Sequence, residues 1–220
     1  MSAPSTPSRS GASSGGSAAW LRTLHQWHWI SSAFALVGMM LFAITGITLN
    51  HASQIESKPV VTARKAQVPA ELLPHLQALV VEGEPPSANT LLPLTVSDWL
   101  SRTWGAQVAE HAVEWSAEEA YIAMPRPGGD AWLRIDIASG EAEYEVTDRG
   151  WISWLNDLHK GRHTGVLWAW FIDAFAVVCL IFSATGLLIL KYHSAKRPGT
   201  WPLVGLGLVL PALIAILFIH

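Results

Sequence analysis

Charge is scarce in this sequence. Of 220 residues only 14% are Asp, Glu, Lys or Arg, against about 25% in a soluble domain. That is too little to coat a fully water-facing surface. Cysteine is nearly absent: Cys179 stands alone, which excludes an internal disulfide and any cysteine-based zinc or iron–sulfur site. A basic excess is missing as well. The net charge is −3 and the isoelectric point about 6.3, so electrostatic capture of nucleic acid has no basis. No Walker loop and no G-x-G-x-x-G precedes a helix, so no nucleotide fold is expected. Ser-x-x-Lys, Gly-x-Ser-x-Gly and His-Glu-x-x-His are also missing, which leaves hydrolysis unsupported.

What is abundant points to a membrane. Half of the residues are hydrophobic, and mean hydropathy is +0.30. Three apolar runs stand out: Trp29 to Leu49 and Trp201 to Ile219 without a charge, and Thr164 to Leu190 with only Asp173. Each exceeds the roughly 18 residues that mark a spanning helix. Pro202 falls in a first turn, and lipid-embedded helices tolerate Pro211. The chain therefore reads as an α-helical integral membrane protein in contact with the lipid bilayer, with three transmembrane helices.

Basic residues orient it. Arg9 and Arg22 precede the first span, and Lys191, Lys196 and Arg197 lie between the second and third, with no acid in either segment. Every acid except Asp173 lies between Glu56 and Asp157. The positive-inside rule then places the N-terminus and the 191–200 link in the cytoplasm, and the third span emerges outside at His220. Residues 1–19 are rich in Ser, Gly, Pro and Ala and read as a disordered cytoplasmic tail. The first apolar run is too long for a signal peptide and lacks a small-residue cleavage site, so it reads as a signal anchor. The organisation is residues 20–50 as the first span, 51–158 outside, 159–193 as the second span, 194–200 as a link, and 201–220 as the third span.

The exterior region reads as a small α+β domain. Ser97 to Trp104 has a helical pattern with Ser97 or Asp98 as N-cap. Short strands are expected at Val108–Trp115, Ala120–Met124, Ala131–Ile137 and Glu141–Val146. Turns are expected at Ser139–Gly140 and Pro125–Gly129. Residues 57–95 read mostly as loop, with a short helix near Ala70–Val80.

Nine histidines remain to be explained. His25 and His28 precede the first span and His51 follows it; His159 and His163 precede the second and His193 follows it. Antiparallel packing would bring His51 near His159 and His163, and His25 and His28 near His193. Neutral imidazoles from facing helices suit a b-type haem. A transition-metal site and plain helix-end histidines remain open. His28 and His51 are 23 residues apart, about 35 Å along a continuous helix, so one haem or two are both compatible with the pattern. Phe42-Ala-Ile-Thr45-Gly46 is echoed by Phe182-Ser-Ala-Thr185-Gly186. The antiparallel spans would then form an inverted pair, or the small residues would simply let helices approach. Gly46 and Gly186 are read as places where backbone stays clear of a cofactor ring. Asp173, costly inside a membrane, should face the bundle or a cavity, there to orient a histidine, relay protons, or bond a Ser or Thr. Tryptophans near the span ends read as aromatic belts, and Cys179 as a packing residue.

The blocks Leu24-His25-Gln-Trp27-His28-Trp29-Ile, Thr45-Gly46-Ile-Thr-Leu-Asn50-His51 and Trp154-Leu-Asn-Asp157-Leu158-His159-Lys160-Gly-Arg162-His163 resemble the PepSY-associated transmembrane helix family. The passage from Ile135-Asp-Ile-Ala-Ser-Gly140-Glu into Trp-Leu-Asn-Asp-Leu-His is similar to that family's passage from PepSY domain into the next helix. The resemblance covers residues 21 to 193. It implies a multi-pass protein of the bacterial inner membrane with a periplasmic PepSY-like domain. Because some members are haem-containing reductases of ferric siderophores, it implies haem b, one or two, with His28, His51, His159 and His163 as iron ligands. His25 and His193 rest more on spacing. Electrons would come from a quinol or a partner reductase and reach a ferric siderophore or other periplasmic acceptor. The reading from a different class is a haem-free anchor whose exterior domain binds or inhibits a partner protein. A homodimer stays open.

Overall fold

The computed structural model describes residues 14–55, 58–81, 83–87, 89–109 and 111–219. Residues 1–13 of the expected tail, with Arg9, and the terminal His220 lie outside the described residues. Three helices are long and apolar enough to cross a membrane: α1 (Ser14–Asn50), α5 (Val166–His193) and α6 (Thr200–Phe218). Between α1 and α5 lies a small domain with strands β1 (Val60–Gln67), β2 (Glu114–Trp115), β3 (Glu119–Ala123), β4 (Gly129–Asp136) and β5 (Glu141–Asp148). Its helices are α2 (Leu73–Gln77), α3 (Leu94–Trp104) and α4 (Trp151–Lys160). This is the helical membrane protein with an α+β domain that the apolar runs and the alternating segments require. The chain divides into two compact units, one reaching Leu41 and resuming at Phe171, the other Phe42–Trp170.

The five strands form one antiparallel sheet in the order β1-β5-β4-β3-β2. Strand β4 alternates strictly, with Ala131, Leu133 and Ile135 buried and Asp130 and Arg134 exposed. The buried face packs on α2 and α3 through Leu76, Val96 and Leu100, which are fully enclosed. The other face carries Tyr121 stacked near Trp132, and Arg134 between Glu119 and Glu143. Burial, then the charges of Asp130 and Glu114, push the Tyr121 phenol up. Hydrogen bonding to Glu141 raises the Lys65 ammonium.

Four expectations about these elements need correction. Helix α1 begins at Ser14, so residues 14–19 belong to it and not to the tail; once a long span is nucleated, each added residue gains a hydrogen bond. Helix α3 begins at Leu94, a turn before Ser97 and Asp98, because Pro93 supplies the N-cap position with a preset φ. The strand expected over Val108–Trp115 shrinks to Glu114–Trp115. Val108 and Val113 are buried in loop, so their side chains signalled core and not pairing. Within residues 57–95 the sheet gains an edge strand, β1, exposed along nearly its whole length. With no buried face, β1 leaves no alternating pattern; backbone pairing to β5 alone makes it a strand.

The second span is also shorter than residues 159–193. His159 ends the separate helix α4, which Gly161 closes in a left-handed conformation, its N–H donating to Asp157 and Leu158 carbonyls. His163 (φ 58°) and Gly165 (φ 78°) continue the break before α5 starts at Val166. The Trp168 indole donates to Leu158 O at 2.8 Å, tying the start of α5 to the end of α4.

The turn from β4 to β5 depends on Asp136. Its Oδ1 accepts from Ser139 N at 2.7 Å and Ser139 Oγ at 2.8 Å, and those bonds, the backbone one first, hold its carboxyl below the usual range. A lowered carboxylate pKa stabilises the fold above the unfolded value of about 3.9 and is lost as pH falls through the folded value. Asp136→Ala should cost about 1 kcal/mol at pH 7, the low end for bonds to an exposed charge. The loss should shrink as pH falls below about 3.9. Unfolding midpoints of both proteins from about pH 7 down to about pH 2 would check this.

Candidate functional site: two histidine cradles and a histidine pair

Each half of the sequence echo receives one histidine. In one unit, His28 Nδ1 lies 3.1 Å from Thr185 Oγ1 and 3.2 Å from Phe182 O. Its ring stacks on Phe182 with centroids 4.8 Å apart. A Cβ on Gly186 would sit 3.2 Å from His28 Cε1. In the other unit, His159 Nδ1 lies 2.7 Å from Thr45 Oγ1, and its ring packs on Phe42 at 5.0 Å. A Cβ on Gly46 would sit 3.6 Å from His159 Cε1. The same chemistry is built twice: a phenylalanine as floor, a threonine as hydrogen-bond partner, a glycine as clearance.

Carbonyl oxygens fix the proton on most of these rings. Thr185 Oγ1 donates to Ile181 O at 2.7 Å, and Phe182 O, which can only accept, lies at His28 Nδ1. His28 is therefore protonated at Nδ1 when neutral. Thr45 Oγ1 can donate to Phe42 O or to His159 Nδ1, so His159 is compatible with either tautomer. Carbonyl oxygens impose the tautomer of His28 on His25 (Leu21 O, 2.8 Å), His51 (Ile47 O, 3.0 Å) and His193 (Ile189 O, 2.9 Å). In these four, His25, His28, His51 and His193, the lone pair is left on Nε2. Ligand histidines are prepared in this way, with the other ring nitrogen held by an oxygen.

Proximity follows the helix ends for one pair and departs from them elsewhere. His25 meets His193, ring centroids 6.0 Å apart and edge-on at 88°. His28 instead reaches Phe182 and Thr185. His51, exposed, bonds back to its own helix, while His159 is engaged with Thr45. His163 Nε2 accepts from Arg162 Nε at 3.3 Å, which occupies its lone pair. Asp173 is exposed on α5 and makes no hydrogen bond or ion pair among the described residues, so it does not face the bundle as its intramembrane cost suggested. Gly46 and Gly186 give clearance to imidazoles, where the sequence suggested clearance for a cofactor. Thr45, Thr185, Phe42 and Phe182 lay in the echo but carried no signal of a partner, because their partners are remote in sequence. Thr48 donates to Asn156 Oδ1 at 2.8 Å, a second bond between the end of α1 and α4.

Among the described residues no group of three or more His, Cys, Asp or Glu converges on a metal position. Two imidazoles on opposite sides of one metal, each bond about 2.0 Å, place their centroids about 6 Å apart, and His25 and His193 have that separation.

Compared with known proteins, the chain matches the family described as PepSY_TM-like over residues 19–220. No curated protein and no solved structure matches it. The histidine blocks, α5, α6, the α+β domain and all of α1 after its first residues fall inside the matched region, and the chain belongs to the PepSY_TM-like family.

Proposed function

We propose that this membrane protein is a b-type haem protein that passes electrons to the side of its α+β domain, with His25 and His193 as axial ligands. The observation that carries the reading is their 6.0 Å ring separation with both Nδ1 atoms committed to carbonyls of their own helices. When bound, the haem would supply one-electron chemistry. The chain's part is to present two Nε2 lone pairs in fixed orientation. His28, one turn from His25, is held by Thr185 and Phe182 and keeps α1 against α5. The His159 cradle is the candidate for a second group; His51 and His163 have weaker support. The residues described hold no nucleotide fold, so a quinol or a partner reductase is the fitting donor, and an iron(III) chelate such as a ferric siderophore the fitting acceptor. The test is the spectrum of the full chain purified from haem-sufficient cells. A Soret band with dithionite-sensitive α and β bands is expected; a colourless protein would sink the proposal.

The reading places the protein in a bacterial inner membrane with its N-terminus and the 194–200 link in the cytoplasm. In a Cys179→Ala background, Ser101→Cys should react with an impermeant maleimide in intact cells, once the outer membrane is permeable. Ala195→Cys should react only after lysis. Labelling of residue 195 in intact cells would reverse the topology.

A second reading, a haem-free anchor whose domain binds a partner protein, is favoured by the open sheet face around Tyr121, Trp132 and Arg134. A colourless preparation that retains a partner through that face would select it.

A further inference from the structure

We propose that a cavity of about 300 Å³ at the start of α4 binds the phosphate of an anionic phospholipid headgroup. Lys58, Arg149, Ser153 and Asn156 line it, together with Ile55 and Trp151, and among the described residues no carboxylate does. Arg149 donates to Gly129 O at 2.8 Å, which anchors the guanidinium and leaves its charge without an acidic partner among the described residues. Lys58 is exposed and likewise unpaired among them.

Asn156 carries the argument further. Its side chain is only 7% exposed, one end of the amide is bonded to Thr48, and the other end has no partner among the described residues. Asn156 lines the cavity, and its free amide N–H groups can donate to an anion held there. The first turn of α4 adds to this. Its N-cap is Gly150 and no side chain caps it, so the first N–H groups are unmatched and the helix presents its positive end there. Two cations, a free amide and an uncapped helix start make one anion-binding wall.

The lipid source follows from location and from the apolar rim. The cavity wall includes Ala52 and Ile55, a few residues after the spanning helix α1 ends at Asn50. Trp151 and Trp154 are 70% and 46% exposed beside it, as indoles are at headgroup depth. A free phosphate would use the cations but not the indoles or Ile55.

The test is native mass spectrometry of the full chain in neutral detergent, titrated with phosphatidylglycerol and with phosphatidylcholine. The wild type should retain phosphatidylglycerol at about tenfold lower concentration, the scale of one or two charge-assisted hydrogen bonds. Lys58→Gln with Arg149→Gln should abolish that preference, and Arg134→Gln on the sheet face should preserve it. Because Arg149 also bonds Gly129, the Lys58→Gln variant alone provides the control for folding and should lose part of the preference. Millimolar inorganic phosphate should leave phosphatidylglycerol in place. Equal preference in wild type and both Lys58 variants would overturn the site, and displacement of the lipid by phosphate would overturn the headgroup as its ligand.

Discussion

Gly128→Ala should detach α4 from the sheet. Gly128 has φ +72°, and a Cβ there would lie 2.6 Å from Trp154 Cβ and 2.8 Å from Trp154 Cα. Those are atoms of the α4 backbone and its root, which cannot rotate away. The Gly128 N–H also donates to Asp157 Oδ2 at 2.9 Å, and Asp157 is only 8% exposed. Alanine would therefore add left-handed strain, overpacking, and the loss of a hydrogen bond to a buried carboxylate. Each contributes about 1–3 kcal/mol, and because the three share one contact and do not add fully, a total at the lower end, about 3–5 kcal/mol, is expected. Gly105→Ala is the control. It has nearly the same φ, +72°, but nothing within 4 Å of its Cβ, so strain of about 1 kcal/mol should be all it costs. Amide hydrogen exchange over residues 154–160 reads the difference. Fast exchange is expected in the Gly128 variant, and unchanged protection would mean that α4 does not depend on this contact.

Gly186→Leu is the second large effect. At 3.2 Å from His28 Cε1, even a methyl group forces the imidazole to give, and a leucine displaces it from Thr185 and Phe182. Overpacking of this kind costs about 1–3 kcal/mol, and His28 would lose both Nδ1 partners. Gly46 is looser at 3.6 Å, so Gly46→Ala should be tolerated and Gly46→Leu should fall between. Gly205 and Gly207 on α6 have nothing within 4 Å, and Leu at either should be near neutral. Thermal unfolding of the four Leu variants should rank Gly186 as worst, Gly46 next, and the α6 pair close to wild type. Equal midpoints would remove any special role for the cradles.

The sequence disclosed whatever rests on burial in one dominant direction. Twenty apolar residues have one outcome, so the spans were visible, and alternation in Arg134–Ile137 exposed β4. Strand β1 was not visible, since every backbone partner it needs is in β5 and none of its side chains is required in the core. The break between α4 and α5 was hidden for a different reason. His159 and His163 sit beside an apolar run and read as its continuation, yet Gly161 and Gly165 end one helix before the next begins. That break is what lets His159 lie level with Thr45, and His28 likewise leans on Thr185 and not on His193. Of the pairs that the helix ends suggested, His25 with His193 is the one that forms. The histidines were legible as a set; their partners depended on the fold.

The His25–His193 pair is the centre of the functional account, and haem content of ligand variants tests it most directly. The full chain should be purified as wild type, His25→Ala, His193→Ala and His51→Ala, with haem-to-protein ratio and the reduced spectrum measured for each. Loss of haem, or conversion from a six-coordinate to a five-coordinate spectrum, is expected in the His25 and His193 variants and not in the His51 variant. Unchanged haem and spectrum in both His25→Ala and His193→Ala would contradict the account.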